Sequence, residues 1–362
     1  MDIITDRRAL HRIPELDRDL PKTLAYLENA LSGLRCRVFA PVDGTLCAWF
    51  DFGAEGAIAF RSDADALPIQ ERTGSDYASR HPGRMHACGH DGHMAILLEL
   101  ARQLNQKETL PHNVLLVFQG AEETTGGARD LCQSGVFEEY KVRAIFGLHL
   151  WPGLEAGQIF SRKGELMARS CEVTVDIFGR SAHIARSEEG LDALAAGVEV
   201  YRRAVEMEKA LPENVFRLLK FGKLESGTVR NALSAHTHME GSLRAFQDAV
   251  FEGLRDGLLA IGREVEQTTG CTVRILMNEG YPAVMNPADL YDAVCKSVPF
   301  RELEKPTMTA EDFSWYQKQL PGLFFFLGAG DVPALHSGNF DFDESILQKG
   351  ADFFLKLAED FV

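Results

Sequence analysis

Short apolar runs separated by stretches of helical periodicity constrain the fold of this chain more than any other feature. Residues 45–50, 57–60, 113–118 and 144–149 read as strands, while 20–34 and 92–104 read as helices, the first with Leu24, Leu27, Leu31 and Leu34 at helical spacing. Strands that alternate with helices build βαβ units and a largely parallel sheet. A different rhythm begins near residue 165. Residues 171–177 alternate at period two, and a helix over 191–211, strands over 216–224 and 235–244, a helix over 249–269 and a strand over 271–277 follow. That order, β-α-β-β-α-β, is a ferredoxin-like pattern. The predicted class is therefore α/β: a mixed, largely parallel sheet flanked by helices, with an inserted β-α-β-β-α-β ferredoxin-like domain. Residues 1–167 and 280–362 would form the first domain and 168–279 the insertion. In the returning segment, Glu311-Asp312-Phe313 should start a helix, 323–327 a buried strand and 346–361 a closing helix. A length of 362 residues suits two domains.

Chemistry concentrates where strands end. His86, Cys88, His90 and His93 fall within eight residues, between a predicted strand and a predicted helix. Imidazole and thiolate are preferred ligands for zinc and related divalent ions. In an extended loop Cys88 and His90 would project to the same side, which favours them as ligands, with His86 and His93 supporting the loop. Glu122 and Glu123 follow the strand 113–118, and two adjacent carboxylates there are costly unless something positive sits between them. Successive residues point in different directions, so one can bind metal while the other handles a proton. His149 ends the strand 144–149, Asp63 and Asp65 follow 57–60, and His336 lies in a Gly-rich loop after the Phe-rich strand. The two aspartates are suited to orienting metal-bound imidazoles. Each cluster alone is weak; together they form one constellation at strand ends, where ligands bind in α/β folds.

A net charge of −15 argues against nucleic acid and anionic membranes as partners, since both need basic patches. Seven scattered cysteines without a C-x-x-C pair do not make a disulfide framework. No apolar leader opens the chain and no 18-residue apolar run crosses it. The expected location is cytoplasmic.

The motifs Arg8-Ala9-Leu10-His11…Pro14-Glu15-Leu16, Arg61-Ser62-Asp63-Ala64-Asp65-Ala66-Leu67-Pro68, Met85-His86-Ala87-Cys88-Gly89-His90-Asp91-Gly92-His93, Ala121-Glu122-Glu123, Gly147-Leu148-His149, Thr309-Ala310-Glu311-Asp312-Phe313 and Leu335-His336-Ser337 span nearly the whole chain. In them the chain resembles the N-acyl-amino-acid amidohydrolases of the aminoacylase and carboxypeptidase G superfamily, in the branch with hippurate hydrolases, auxin-conjugate hydrolases and N-acetyldiaminopimelate deacetylases. The resemblance implies a metallopeptidase-like hydrolase that cleaves the amide bond of N-acyl-L-amino acids with two divalent ions per subunit. Manganese or zinc would be the first choice, with cobalt and nickel as alternatives. Position by position, Cys88, His90, Glu123, His149 and His336 match the metal ligands, Glu122 the general base and Asp65 the aspartate behind the metals. His183, in Gly179-Arg180-Ser181-Ala182-His183, matches an oxyanion-stabilising histidine, often supplied by a partner subunit. Asn231 and Arg244 match positions that hold the substrate's carboxylate. The inserted domain usually mediates homodimerisation. Relatives have Gly-Gly-His-Ala-Ala and then Pro where this chain has Ser181-Ala182-His183-Ile184-Ala185 and then Ser187, which bears on substrate choice. The alternatives are a dipeptidase or aminopeptidase on the same fold, and a non-catalytic metal- or ligand-binding protein.

Overall fold

The strand Asn113–Gln119 is apolar along almost its whole length because both of its faces are covered. It lies inside an eight-stranded sheet with the order Arg37–Phe39, Thr45–Phe50, Asn113–Gln119, Ala57–Asp63, Val142–Pro152, Gly322–Gly330, Ile159–Ser161 and Arg301–Glu302. Four neighbouring pairs run parallel: Ala57–Asp63 with Asn113–Gln119 and with Val142–Pro152, Val142–Pro152 with Gly322–Gly330, and Ile159–Ser161 with Arg301–Glu302. The other three are antiparallel, so the sheet is mixed and largely parallel, as the sequence predicts. The computed structural model describes residues 2–361. Among these residues no helix is long and apolar enough to cross a membrane, and all seven cysteines are free thiols.

The helices His90–Asn105 and Leu347–Asp360 cover the sheet's apolar side chains. Leu97, Leu100, Leu104, Phe354 and Leu357 join Phe60, Phe118, Phe146 and Phe325 in one core. The Phe60 and Phe354 rings sit 4.8 Å apart. Each such side chain contributes roughly 1.5–3 kcal/mol by leaving water, so the strand ends that carry the polar residues rest on a stiff base.

Two compact units emerge. The first takes residues up to Leu166, Met285–Pro306 and residues from Asp312 onward; the second takes Met167–Val284 and Thr307–Glu311. The second unit differs from a 168–279 insertion by recruiting Thr307–Glu311. Backbone pairing explains this: the Ala168 N–H donates to Thr309 at 2.8 Å, and Met167 bridges Thr307. The sheet of the second unit has the order Thr272–Met277, Arg169–Phe178, His236–Ala245, Arg217–Ser226, antiparallel throughout. Helices Ala193–Lys209 and Asp248–Thr269 complete the β-α-β-β-α-β order. Val173, Val175, Ile177, Met239 and Leu243 pack against Val200, Leu254 and Leu258, which leaves the alternate residues on the sheet's other face.

Two local expectations differ from the structure. The helix predicted to begin at Gly92 begins at His90, with Gly89 as its N-cap at φ 88°. His90 is therefore a first-turn helical residue and not part of an extended loop. Glu311-Asp312-Phe313 leads only into the short helix Ser314–Gln317. Asp312 is instead held in the core of the first unit by the Arg61 guanidinium.

Candidate metal centre

The parallel strands deliver their polar residues to one edge of the sheet. Phe326 pairs with His149, and Asp63 pairs with Gln119 just before the Glu122–Glu123 turn. Gly89 makes the left-handed bend that separates Cys88 from His90. A side chain there would also meet Leu150 at 2.9 Å, so only glycine fits without strain. Two non-glycine residues at this edge have positive φ: Ala121, at 61°, immediately before Glu122, and His336, at 64°. Such conformations cost ~1–3 kcal/mol each and persist where surrounding bonds over-determine them. The Ala121 N–H donates to Asp17 at 3.1 Å, and the His336 N–H donates to Ala87 at 2.9 Å. That last bond ties the His336 loop directly to the Cys88 segment.

Cys88, His90, Glu122, Glu123, His149 and His336 come together. Cys88, Glu123 and His336 offer ligand atoms within 4.8 Å of one another; so do His90, Glu122 and Glu123, and so do Asp63, His90, His93 and His149. Cys88 Sγ lies 3.4 Å from His149 Nε2. Glu123 Oε1 lies 3.2 Å from His336 Nε2 and 3.8 Å from His90 Nε2. All are buried except Glu123, which is partly so, and His336, which is about half exposed.

The hydrogen bonds sort the imidazoles. His90 Nδ1 donates to the Asp65 carbonyl at 2.8 Å, and His149 Nδ1 donates to the Leu150 carbonyl at 2.7 Å. Each is left with a bare Nε2 turned into the cluster. His93 differs: its Nδ1 donates to Asp63 at 2.6 Å, and its Nε2 accepts the Leu150 N–H at 2.9 Å, so neither nitrogen is free. His86 is buried without a hydrogen-bond partner among the described residues, and burial pushes it down to about 3, so it is neutral. The two aspartates divide their work. Asp65 accepts the backbone N–H of Glu122 and of Glu123, each at 3.1 Å, and so sets the carboxylate turn. Asp63 takes the His93 N–H through Oδ1 and faces His90 Nε2 at 3.6 Å through Oδ2, on the cluster side, whereas Asp65 Oδ1 lies 3.8 Å from His90 Nδ1.

The electrostatics fit a cation. His90 Nε2 and Glu123 Oε1 are buried without a hydrogen-bond partner among the described residues. Such groups cost ~1–3 kcal/mol each unless something pairs with them. Burial, reinforced by Glu123 and Glu122, pushes the Cys88 thiol well above its ordinary range. Burial, with His93 beside it, holds His149 well below the usual imidazole range. Burial opposes the charge on Asp63, but His90, His93 and Arg61 outweigh it. Clustered carboxylates, neutral imidazoles and a thiol that only a positive charge would ionise are the donors of a divalent-ion site.

Two supports were not singled out in the sequence. Arg7 is fully buried; its guanidinium donates to Asp91 at 2.8 Å, Asp341 at 2.8 Å and Glu344 at 3.1 Å. It thereby links the first turn of the His90 helix to the chain just after His336. His11 Nδ1 donates to the same Asp91 oxygen at 2.8 Å. Arg61 donates to Gln119, Asp63 and Asp312 at 2.9, 3.1 and 2.7 Å. The signals were present: Arg7 lies on the same helix face as Ile3 and Leu10, and Arg61 directly continues the apolar run 57–60 in a strand buried along its whole length.

The model of peptidase family M20/M25/M40 matches residues 59–360. The chain belongs to this family. An N-acetyldiaminopimelate deacetylase of Lacticaseibacillus casei is 32% identical over 96% of this chain and 95% of its own. A Staphylococcus haemolyticus protein described only as a hydrolase is also 32% identical, over 97% and 96%. Among solved structures, a Bacillus subtilis M20 protein described as a dinuclear metal-binding peptidase superposes with a TM-score of 0.84 at 28% identity, covering 98% of this chain and 96% of its own. As an M20 member the chain is a hydrolase of the peptidase and amidohydrolase type.

His183, Asn231 and Arg244 lie in the second unit. His183 is exposed; its Nδ1 accepts the Ala185 N–H at 3.1 Å, and the Asn231 carbonyl accepts the neighbouring Ile184 N–H at 3.0 Å. Arg244 is half-buried, with Nη1 donating to the Met308 carbonyl at 2.7 Å.

Proposed function

We propose that this chain deacylates N-acyl-L-amino acids, with two divalent ions held by Cys88, His90, Glu123, His149 and His336. The observation that carries the proposal is the buried pair His90 Nε2 and Glu123 Oε1, neither with a hydrogen bond among the described residues, with Glu123 beside His336 at 3.2 Å, flanked by Cys88 and His149 and adjoining Glu122. The thiol favours a softer ion such as zinc, and the oxygen donors admit manganese. When bound, such ions lower the pKa of water towards ~7 and polarise a carbonyl oxygen. Glu122 then takes the proton from the attacking water and returns one to the departing amine. Asp65 holds the backbone that aims Glu122 and Glu123. His183 donates an N–H to the developing oxyanion. Arg244 pairs with the substrate's α-carboxylate as a planar fork, with Asn231 as a further polar contact.

A homodimer follows from the same assignments. Arg244 and His236 are eight residues apart on one strand, roughly 27 Å at ~3.4 Å per residue, and the His183 turn pairs with Ala232 beyond the His236 end. Both groups cannot reach one small substrate from the same chain, so His183 serves the partner's site. Helix Ala193–Lys209 exposes Leu194, Val198 and Tyr201 along one stripe, and Leu224 is exposed on the edge strand Arg217–Ser226, which gives an apolar surface for a second copy. Free thiols suit a reducing, cytoplasmic setting.

The test is hydrolysis of a panel of N-acetyl and longer N-acyl amino acids, N-acetyldiaminopimelate among them, beside unmodified dipeptides, after loading with manganese, zinc or cobalt. Cleavage of the N-acyl compounds supports the proposal. Turnover confined to dipeptides replaces it with a peptidase, and no turnover with any ion rejects both.

A further inference from the structure

The face of the inserted sheet turned away from its two helices carries a second group of metal-type side chains, outside the catalytic unit. His236 and His238 are two residues apart on the strand His236–Ala245, so both project from this face. Asp176, on the neighbouring strand, is the direct cross-strand partner of His238. Asp176 Oδ1 lies 2.8 Å from His236 Nε2 and 2.8 Å from His238 Nδ1. The His236 ring is steadied by Phe178, stacked 4.9 Å away with planes 18° apart. On its far side, His238 Nε2 donates to Glu240 Oε1 at 2.7 Å. A carboxylate that takes the outer N–H of an imidazole is how metal-ligating histidines are commonly held, because it directs the other nitrogen's lone pair inward. Here that lone pair would face a carboxylate oxygen at 2.8 Å, a repulsive contact unless a proton or a cation lies between them.

We infer that Asp176, His236 and His238 form a further cation site, for a borderline-soft divalent ion such as zinc, nickel or copper. Two imidazoles and a carboxylate are the donors such ions take. A tetrahedral ion with ~2.0–2.1 Å bonds needs donors ~3.3 Å apart, so Asp176 Oδ1 must draw back from each imidazole nitrogen by about half an ångström, and all three donors already lie within 4.8 Å of one another. Lys223 and Glu225 on the strand Arg217–Ser226, and Arg274 on Thr272–Met277, share this face by register. Lys223 is engaged by Glu225 at 3.3 Å and by Glu240 at 3.5 Å, and the Arg274 guanidinium lies over the Phe178 ring at 5.2 Å. Neither cation therefore occupies the space between the three donors. His236 and His238 also line a cleft of about 560 Å³ shared with Lys223, Glu225, Ser226 and Thr228, which leaves the remaining coordination positions to water or a small ligand. An ion there competes with protons for the imidazole nitrogens, so its binding weakens as the pH falls.

The test is calorimetric titration of the full-length protein, its catalytic ions already bound, with zinc and separately with nickel. One further equivalent should bind. The double substitution His236→Ala with His238→Ala should abolish that event and leave turnover of the best substrate unchanged. Glu240→Gln, which removes only the outer carboxylate's charge, should weaken the event ~10-fold. Cys88→Ser should leave it intact while catalytic ions are lost. No additional event in the unaltered protein, or an event that survives the double substitution, overturns the inference. So does loss of the event in Cys88→Ser, which would assign it to the catalytic centre. Because the two clusters share no residue, a catalytic centre that binds no ion would reject the proposed function without touching this site.

Discussion

Two clusters of imidazole and carboxylate in this chain have opposite physical situations. At the Cys88–His90–Glu123 centre nearly every group is buried, and two ligand atoms have no hydrogen-bond partner among the described residues. At Asp176–His236–His238 the groups are partly exposed and already bonded to one another. Water and mutual hydrogen bonds satisfy the second cluster, so an ion there is optional to the fold. In the first, Glu123 Oε1 is offset by the half-exposed His336 at 3.2 Å, while His90 Nε2 is buried without a hydrogen bond among the described residues; a cation would relieve what remains, so occupancy there should govern both activity and stability.

The sharpest way to break this comparison is to separate chemistry from metal binding at the buried centre. Glu122→Gln should lower kcat by at least ~10², the usual size of a general-base contribution, while elemental analysis finds the metal content unchanged. Activity within a few-fold of the unaltered protein would remove Glu122 from the mechanism. Cys88→Ser and His90→Ala should instead lose bound metal, and activity with it. Chelation should then lower the Tm of the unaltered protein, by an amount equivalent to ~4 kcal/mol if the ions are held at 1,000 times their Kd. A chelator that leaves Tm unmoved would show that the buried groups carry no penalty that an ion relieves.

A smaller effect tests the scaffold. Arg7 spans Asp91, one residue beyond His90, and Asp341 and Glu344, a few residues beyond His336. Arg7→Lys keeps the charge but cannot reach three carboxylates with one ammonium. Metal affinity should fall ~10–100-fold, the usual cost of disturbing groups behind a ligand, with kcat largely restored at saturating metal. Asp341→Asn, which weakens one of the Arg7 links and the Tyr77 hydroxyl's contact with the same carboxylate, should show a lesser form of the same split. A drop in Tm with unchanged affinity would make Arg7 a packing residue alone.

The difference between the clusters also explains what the sequence made legible. The sheet, the inserted β-α-β-β-α-β pattern and the positions of Glu122 and Glu123 just past a strand were readable because hydrophobic periodicity and residue chemistry are local properties; His149, expected to end its strand, lies inside one that runs on to Pro152. The division of labour between Asp63 and Asp65 was not, since both occupy one motif and only the hydrogen bonds separate them. The same holds for His93, whose spacing is as ligand-like as that of His90; its two nitrogens are taken by Asp63 and by the Leu150 N–H, a partner 57 residues away. Arg7 reaches carboxylates more than 330 residues along the chain, which no local pattern reports. The early start of the His90 helix depends on the left-handed Gly89 fitting against Leu150, again a tertiary matter.

The gentlest probe of the contrast is pH. His11 is almost fully buried, which alone would lower its pKa, yet Asp91 and Glu71 raise it to about 9. A histidine whose folded-state pKa exceeds its unfolded value contributes stability that is fully present below the unfolded pKa and is lost as the pH rises through the folded one. With chelator present, so that ion binding does not contribute, the Tm should fall by a few degrees between pH 7 and pH 9.5. The buried Cys88 thiol, raised above its ordinary range by burial and then by Glu123 and Glu122, adds a fall of the same sign, because the unfolded thiol ionises first. The His11 share is the difference between the two proteins: His11→Gln should make the profile shallower. His238 is also raised, by Glu240 and then Asp176, but it sits at the surface where solvent screens both partners, so His238→Gln should leave the profile as it was. If instead His238→Gln flattened the curve and His11→Gln did not, the buried network around Asp91 would not be the part of the fold that carries an electrostatic load.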